Sequence, residues 1–260
     1  MIGAIAGDII GSRFEGHPAP PSDFELFHRH CRFTDDTVCS LAVAEALMTG
    51  SEFAPTLRAF VRRHPDAGYG GMFIRWAMKD DAPAYGSWGN GAPMRVAAAG
   101  WLAASEAEAD DWAAAQSVAS HDHPDAIKAA QAIARSILAL RQGIGPTEVR
   151  AGITRDFGYD LREETALKQG GFDVSAAGTV PPALVTAFES RNWEDAVRNA
   201  VYLGGDTDTL ACIAGAVAEA IHGVPRPISE SARAHLTSDL LEVLNRFDQR
   251  REAARKQLSG

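Results

Sequence analysis

Cysteine, positive charge and long apolar runs are all scarce in this sequence. The three cysteines, Cys31, Cys39 and Cys212, form neither a CxxC pair nor an even set for disulfides, so we expect a reducing, cytoplasmic compartment. No stretch approaches the roughly 20 uncharged apolar residues that a membrane span needs, so we expect no membrane association. The N-terminal segment has no basic leader and carries Asp8 inside its apolar run, which argues against a signal peptide.

Lysine and arginine are outnumbered by acidic residues. The chain has 25 Lys and Arg against 34 Asp and Glu, a formal net charge of −9. A surface with this balance repels polyanions, so we expect neither nucleic acid nor an anionic membrane as the main partner. An anionic small molecule can still be bound, through metal ions and backbone amides instead of Lys and Arg.

The β-branched and aromatic runs that are typical of strands are also missing. Aromatic residues make up 8% of the chain, whereas hydrophobic residues make up 46% and alanine is abundant, which favours an all-α globule. With 260 residues and no recognisable linker, we predict one domain over residues 1–260 and expect a monomer. The helical pattern weakens between residues 143 and 181, and residues 157–179 are predicted to form a long loop.

Two acidic segments stand at the starts of apolar, alanine-rich helices. Residues 203–209 read LGGDTDT, and residues 33–37 read FTDDT. The glycines permit a sharp turn, and a helix fixes the side chains of its first turn, so the oxygens of each segment can converge on one point. Convergent carboxylate and hydroxyl oxygens suit Mg²⁺, Mn²⁺ or Ca²⁺ far better than Zn²⁺.

The simplest alternative is that these aspartates are ordinary helix caps. A cap needs one side-chain oxygen, whereas the two segments together bring four carboxylates and several hydroxyls. Four such charges held close would repel one another unless a cation lay among them. The two helices also share an Asp-Thr start and an Ala-Glu-Ala end. We therefore predict a quasi-symmetric pair of metal-binding helix starts, although shared alanine-rich composition also produces such likeness.

Two glycine-rich loops and one isolated acid complete the candidate site. Residues 68–71 read GYGG and precede a helix, which is typical of a backbone-amide cradle for an anion, or of a plain helix connector. Residues 86–95 read GSWGNGAPMR and predict a nucleotide or sugar-phosphate contact. Glu15 precedes a loop rich in Pro and His, so we place its carboxylate at a surface cleft, with a merely solvated loop acid as the alternative.

These motifs resemble the ADP-ribosylglycohydrolase family, which includes the enzyme that reactivates dinitrogenase reductase. The matching stretches are GDIIGSRFE, FTDDTV, GYGG, GSWGNGAPMR and LGGDTDTLACIAGAVAEAIHG. The resemblance implies an orthogonal all-α bundle with two Mg²⁺ or Mn²⁺ ions at the bottom of an ADP-ribose cleft. It implies these metal ligands: Thr34, Asp35, Asp36, Asp206, Asp208 and Thr209.

The resemblance also assigns the remaining site residues. Glu15 matches the family's N-terminal acid near the metals, and His121 matches a ligand-contacting histidine. Trp88 stands where many relatives have Tyr. The two glycine loops match the segments that hold the pyrophosphate and ribose, so the implied substrate contacts are Gly68, Tyr69, Gly70, Ser87, Trp88, Gly89, Asn90, Gly91 and His121.

The implied reaction is hydrolysis of the glycosidic bond between ADP-ribose and a protein side chain or small conjugate. Cleavage at the anomeric carbon builds positive charge on the sugar and requires an activated water, which a two-metal site can orient. Glu15 and Asp36 are both candidates for the proton acceptor. Two other functions remain possible from the sequence: a metal-dependent phosphoesterase and a non-catalytic ADP-ribose-binding relative.

Overall fold

The computed structural model describes residues 1–167 and 172–258, with side chains up to residue 253. Apart from one isolated antiparallel bridge between Gly89 and Ser175, these residues form helices and no strand. The predicted all-α class is therefore confirmed. The helices are α1 (Ile2–Gly11), α2 (Asp35–Thr49), α3 (Phe53–Arg63), α4 (Gly71–Ala77), α5 (Ala97–Leu102), α6 (Glu106–Val118), α7 (Pro124–Arg141), α8 (Pro146–Phe157), α9 (Glu163–Ala166), α10 (Ala176–Phe188), α11 (Trp193–Tyr202), α12 (Thr207–His222), α13 (Arg226–Ala234) and α14 (Ser238–Leu258).

Helices α1 and α12 form the centre of the protein. Every residue of α1 is buried, and α12 is buried from Thr207 to Glu219. A helix that is apolar on all sides can only be stable inside a core. The two helices pack against each other, while α2, α7, α10 and α11 cover the remaining sides of α12. The start of α12 is therefore held from several directions.

Three glycines of α1 allow its backbone to touch that of α12. A Cβ atom added at Gly7 would lie 2.0 Å from the carbonyl oxygen of Ala211, and one added at Gly11 would lie 2.3 Å from that of Thr207. Gly3 makes the same kind of contact one turn earlier. The Thr207 hydroxyl donates a hydrogen bond to the Gly11 carbonyl oxygen, at 2.9 Å. These contacts fix the start of α12 relative to α1.

The predicted long loop over residues 157–179 is wrong in part. Helix α9 lies inside that range, and α10 begins within it at Ala176; residues 168–171 lie outside the described residues. The Ser175 hydroxyl oxygen caps α10 by accepting a hydrogen bond from the Gly178 amide, at 3.0 Å. Two prolines inside α10 weaken its local helix signal, but burial of Val180 and Leu184 in the core outweighs that preference.

The fold bears on two predictions from composition, one about membrane-spanning segments and one about the cysteines. Among the helices described here, none combines the length and apolarity needed to cross a bilayer. Cys31, Cys39 and Cys212 are all buried and free. Cys39 and Cys212 are fully surrounded by the core near the starts of α2 and α12, where they fill space as small apolar side chains. The compartment and the monomeric state stay predictions.

Candidate active site

A cleft of about 570 Å³ opens above the starts of α2 and α12. This volume lies in the range of roughly 300–1,000 Å³ that is usual for small-molecule sites. Most of the residues singled out in the sequence line it, although they come from widely separated parts of the chain. They are Glu15, Thr34, Asp35, Asp36, Gly68, Gly70, Ser87, Gly89, Asn90, Gly91, His121, Asp206, Asp208 and Thr209.

The two aromatic residues proposed as substrate contacts do not line this cleft. The Tyr69 ring packs beside Phe73, with ring centroids 5.9 Å apart, and its buried hydroxyl has no hydrogen-bond partner. Burial raises the pKa of Tyr69 far above its ordinary value. The Trp88 side chain is 53% exposed, while its carbonyl oxygen accepts a hydrogen bond from Ala176 N, at 3.0 Å. The glycines beside these rings form the cleft wall instead.

The start of α2 is held by a carboxylate from α1, that of Asp8. Its Oδ2 atom accepts hydrogen bonds from Thr34 N at 3.0 Å and Thr37 N at 3.2 Å, and also from the Thr37 hydroxyl. Its Oδ1 atom accepts the Thr34 hydroxyl proton at 2.7 Å. Burial raises the pKa of Asp8 to about 6, although these hydrogen bonds oppose the rise. Asp8 therefore caps α2 from a neighbouring helix.

Asp8 is the site residue that reasoning from sequence missed. In the sequence, Asp8 stands out only as an acid that interrupts the N-terminal apolar run. One carboxylate oxygen each from Asp8, Asp36 and Asp208 lie within 4.8 Å of one another. The available signal was an acid in an otherwise apolar helix with no basic residue one turn away, because such an acid needs a partner from elsewhere in the fold.

The start of α12 does not use its acids as caps. Gly204 and Gly205 both have φ of +76° and turn the chain into the helix, a conformation that favours glycine. The Asp206 side chain stands at the N-cap position but makes no capping hydrogen bond. Its Oδ2 atom accepts a hydrogen bond from Asn90 Nδ2 at 2.6 Å. Asn90 thus orients an acid of the cluster.

The two helix starts meet through direct contacts between their side chains. The Thr209 hydroxyl donates to Asp36 Oδ2 at 3.2 Å, and Asp208 Oδ1 accepts from Thr209 N at 3.0 Å. The capping oxygen of α2 belongs to Thr34, which accepts from Asp36 N at 3.3 Å. One oxygen of each carboxylate therefore takes part in these contacts, and among the described residues Asp36 Oδ1 and Asp208 Oδ2 stay free for another role.

The electrostatics of the cluster favour a bound cation. Burial and then the charge of Asp8 raise the pKa of Asp36 well above its usual range, and burial and then Asp36 do the same for Asp208. Burial and its acidic neighbours raise the pKa of Asp35 to about 8. The Oδ1 atom of Asp36 is buried and has no hydrogen-bond partner. An oxygen-only donor set with an unsatisfied buried carboxylate oxygen fits Mg²⁺ or Mn²⁺.

Glu15 joins the same cluster from the exposed side. Oxygens of Glu15, Asp206 and Asp208 lie within 4.8 Å of one another, and Glu15 is exposed. Gly16 N donates to the Gly205 carbonyl oxygen at 2.9 Å, which ties the Glu15 loop to the α12 turn. Partial burial and then the charge of Asp206 raise the pKa of Glu15. The N-terminal acid thus lies where the cleft meets solvent.

Residues 1–257 match the family model described as ADP-ribosylglycohydrolase. The chain belongs to the ADP-ribosylglycohydrolase family. Its relatives include ADP-ribosylhydrolase ARH3 from Xenopus tropicalis, 24% identical over 303 residues that cover 86% of each protein. ADP-ribosylhydrolase ARH3 from Homo sapiens is 24% identical over 333 residues, covering 93% of this chain and 90% of that one.

A bacterial relative and a solved structure extend the comparison. ADP-ribosylarginine hydrolase Tri1 from Pseudomonas putida (strain GB-1) is 24% identical over 266 residues, covering 86% of this chain and 70% of that protein. A solved structure titled ADP-ribosylglycohydrolase-related protein complex superposes with a TM-score of 0.70 and 23% identity, covering 97% of this chain and 94% of that chain. This structural match shows the shared fold.

Membership of the ADP-ribosylglycohydrolase family confirms the predicted enzyme class. The family consists of metal-dependent glycohydrolases that act on ADP-ribosylated substrates. The acidic clusters at the starts of α2 and α12 could hold metal, in agreement with that dependence. The chain therefore combines the family's fold with a cleft that has suitable oxygen ligands at its base.

Proposed function

We propose that this protein hydrolyses the glycosidic bond that joins ADP-ribose to a protein side chain or a small conjugate, with two Mg²⁺ or Mn²⁺ ions in its cleft. One observation carries the proposal: a buried, partly unsatisfied carboxylate cluster lies at the base of a cleft whose upper wall is formed by glycine-rich loops. Such a cleft matches an anionic ligand whose reacting sugar lies next to metal ions.

The oxygens at the two helix starts would hold the ions. Bound divalent cations stabilise developing negative charge and lower the pKa of a bound water, which makes it a nucleophile at neutral pH. The Thr34 hydroxyl donates a hydrogen bond to Asp8 and accepts one from Asp36 N, so one lone pair of its oxygen remains available for a metal ion. Hydrogen bonds of this kind orient metal ligands. The proposed ligands are Thr34, Asp35, Asp36, Asp206, Asp208 and Thr209.

Glu15 is the better candidate for the proton-transfer group. Its side chain is exposed at the cleft edge, where it can meet both solvent and the leaving group. Asp36 is buried at the base of the cleft and already accepts a hydrogen bond from Thr209, so it is less available than Glu15 to exchange a proton with solvent. A general acid or base must lie within hydrogen-bonding reach of the atom that gains or loses the proton.

The cleft wall offers two kinds of anion contact. Gly68, Gly70, Gly89 and Gly91 line it, and glycine lets a ligand approach the backbone amides closely. The sequence predicts that metal ions and backbone amides, instead of Lys and Arg, bind the anionic part of the ligand. In the described part of the structure, the guanidinium groups of Arg32, Arg75 and Arg95 also line the cleft, and none of the three forms an ion pair. Both kinds of contact support a diphosphate-containing ligand.

Replacing Glu15 with Gln tests the proton-transfer role. We expect the hydrolysis rate to fall at least tenfold, because proton transfer by a positioned side chain contributes roughly 10²–10⁴-fold. ADP-ribose affinity should be retained, since Gln has the same shape. Mass spectrometry of the released product measures the hydrolysis rate, and calorimetry measures ADP-ribose binding. Glu52→Gln, which alters an exposed acid at the start of α3, is the matched control. Unchanged turnover in Glu15→Gln would exclude the role.

Product identity tests the proposed reaction itself. A panel of peptides, each carrying one ADP-ribose on a defined side chain, should include arginine and serine linkages. Release of free ADP-ribose and unmodified peptide, detected by mass analysis, would support the proposal. AMP with ribose phosphate would instead indicate a phosphoesterase, and binding without turnover would indicate a non-catalytic relative. The linkage with the highest rate identifies the preferred substrate class.

A further inference from the structure

Arg95 carries a buried positive charge that directly contacts no carboxylate of the described residues. Its side chain is 0% exposed, and within the described ranges it forms no ion pair. Its Nε atom donates to Gln116 Oε1 at 2.6 Å, and its Nη2 atom donates to the Gln116 carbonyl oxygen at 2.8 Å. The guanidinium carbon lies 5.7 Å from the Phe73 ring centroid. Buried charges are normally paired, so this one requires a specific reason.

The position of this guanidinium is determined by the amide of Gln116. That amide nitrogen donates to the carbonyl oxygens of Ala92 and Ala113 at 3.1 Å each, and to Ser117 Oγ at 2.8 Å. Its oxygen must therefore face Arg95, because an amide presents its donor and acceptor on opposite sides. Gln116 thus holds the guanidinium in place. The Nη2 atom that donates to the Gln116 carbonyl oxygen also donates to Ser120, while Nη1 is buried without a hydrogen-bond partner among the described residues.

The hydrogen bonds continue from Arg95 through Ser120 to His121. Arg95 Nη2 donates to Ser120 Oγ at 3.0 Å, and Ser120 Oγ lies 2.8 Å from His121 Nδ1. A guanidinium can only donate, so the direction of the first bond is certain. The Ser120 side chain is fully buried, and in the described part of the chain His121 Nδ1 is the only acceptor for its proton.

This arrangement selects one tautomer of His121. If Nδ1 carried the proton and donated to Ser120, the buried hydroxyl proton would have no acceptor, which is costly. Nδ1 is therefore the acceptor, and Nε2 carries the proton. Burial, and then the nearby charge of Arg95, lower the pKa of His121 well below its ordinary value, so the doubly protonated imidazolium is disfavoured as well.

The protonated nitrogen of His121 faces the glycine loop of the cleft. A Cβ atom added at Gly91 would lie 2.6 Å from His121 Nε2, and one added at Gly89 would lie 3.8 Å from it. His121 lines the cleft, and none of the hydrogen bonds among residues 1–167 and 172–258 uses Nε2. A single N–H donor thus remains unused next to the wall assigned to the anionic part of the ligand.

We propose that Arg95 and Ser120 form a relay that holds His121 as the neutral Nε2–H tautomer, so that it donates a hydrogen bond to an anionic oxygen of the bound ligand. Arg95 and Ser120 are positioning residues, because they act through His121. The proposal rests on the proposed function only for the identity of the ligand. It also gives a reason for the unpaired charge of Arg95, since a guanidinium only donates hydrogen bonds and keeps its proton, and so fixes the direction of the relay.

Nitrogen NMR of the intact, histidine-labelled protein tests the tautomer directly. The chain has eight histidines, so the His121 signals are assigned by their loss in His121→Gln. We expect an unprotonated Nδ1 and a protonated Nε2 in the ligand-free wild type. A protonated Nδ1, or a doubly protonated ring at neutral pH, would overturn the relay. This measurement needs no substrate, so it stands even if the proposed reaction fails.

Ser120→Ala tests whether the relay controls binding. Without the hydroxyl, both tautomers should become populated, and ADP-ribose affinity should fall about fivefold to tenfold, the effect of losing one directed hydrogen bond. The control Ser136→Ala removes another fully buried hydroxyl, in α7, which donates to Ala132 O and lies outside this network, so it should change neither quantity. Unaltered tautomer populations and affinity in Ser120→Ala would refute the proposal. If the wild type shows the expected tautomer but no ADP-ribose affinity, the proposed function fails and the relay remains.

Discussion

Asp36→Asn and Asp208→Asn should each remove most of the stabilisation that Mg²⁺ gives to the protein. At about one hundred times its dissociation constant, a ligand that binds only the native state adds roughly 2.7 kcal/mol to the free energy of unfolding. For a domain of this size, that corresponds to a rise in Tm of about 5–10 °C. Both side chains are buried in one acidic cluster, so loss of either removes a ligand and a charge.

The response to metal distinguishes ligands from helix caps, because Asn caps a helix about as well as Asp and the metal-free variants should be stable in either case. Neither Asp36 nor Asp208 caps its helix, and the three acids of the cluster repel one another when no cation is bound. Asn should therefore leave the apo protein equally stable or more stable. Thermal melts with Mg²⁺, with Mn²⁺ and with chelator measure both effects. Asp111→Asn, at an exposed position of α6, should keep the full metal response. A wild-type Tm that ignores metal and chelator would contradict the proposed site.

Gly7→Ala should destabilise the protein more than any ordinary surface change. The new Cβ would lie 2.0 Å from the carbonyl oxygen of Ala211, and a helix backbone cannot move aside as a flexible side chain can. Overpacking of a core typically costs about 1–3 kcal/mol and occasionally more. We expect the upper end of this range, a fall in Tm of about 6–12 °C. Metal affinity should fall too, because α12 must shift relative to α2.

A glycine outside this helix contact provides the control for Gly7→Ala. Gly152 lies within α8, and a Cβ added there would meet only Arg155 Nη2, at 3.8 Å. Gly152→Ala should therefore stabilise the protein by about 0.5–1 kcal/mol through the better helix propensity of Ala. Thermal melts and metal titrations of the two variants measure the difference. If Gly7→Ala melts like the wild type, the α1–α12 backbone contact does not determine the fold.

The fold class and the composition of the cleft were accessible from the sequence because both have local signals. Alanine-rich periodicity marks helices, and acids directly before apolar helices mark the starts of α2 and α12. The loop over residues 157–179 was predicted wrongly because its signal is not local. Pro181 and Pro182 weaken the helix preference of α10, and only its burial against the core restores it.

The sequence did not indicate which side chains of the predicted loops face the cleft. Tyr69 and Trp88 belong to the predicted loops, yet neither of them lines the cleft. Loop backbone conformation determines which side of a loop faces a ligand, and residue type does not encode it. Asp8 was overlooked for a related reason. Its partners Thr34 and Thr37 are more than twenty residues away in the chain, so its role depends on how two helices pack.

The amino-acid sequence alone determined that the chain is helical. It also indicated that two of the helices begin with acidic residues and which glycine-rich loops accompany them. Only the tertiary structure decided that Asp8 caps α2, that Asp36 has an unsatisfied buried oxygen, and that Arg95 and Ser120 lead to His121. The physical reason is the distance along the chain over which each effect acts. Helix propensity and capping act over about one turn, whereas burial and hydrogen-bond direction depend on neighbours that only the folded chain brings together.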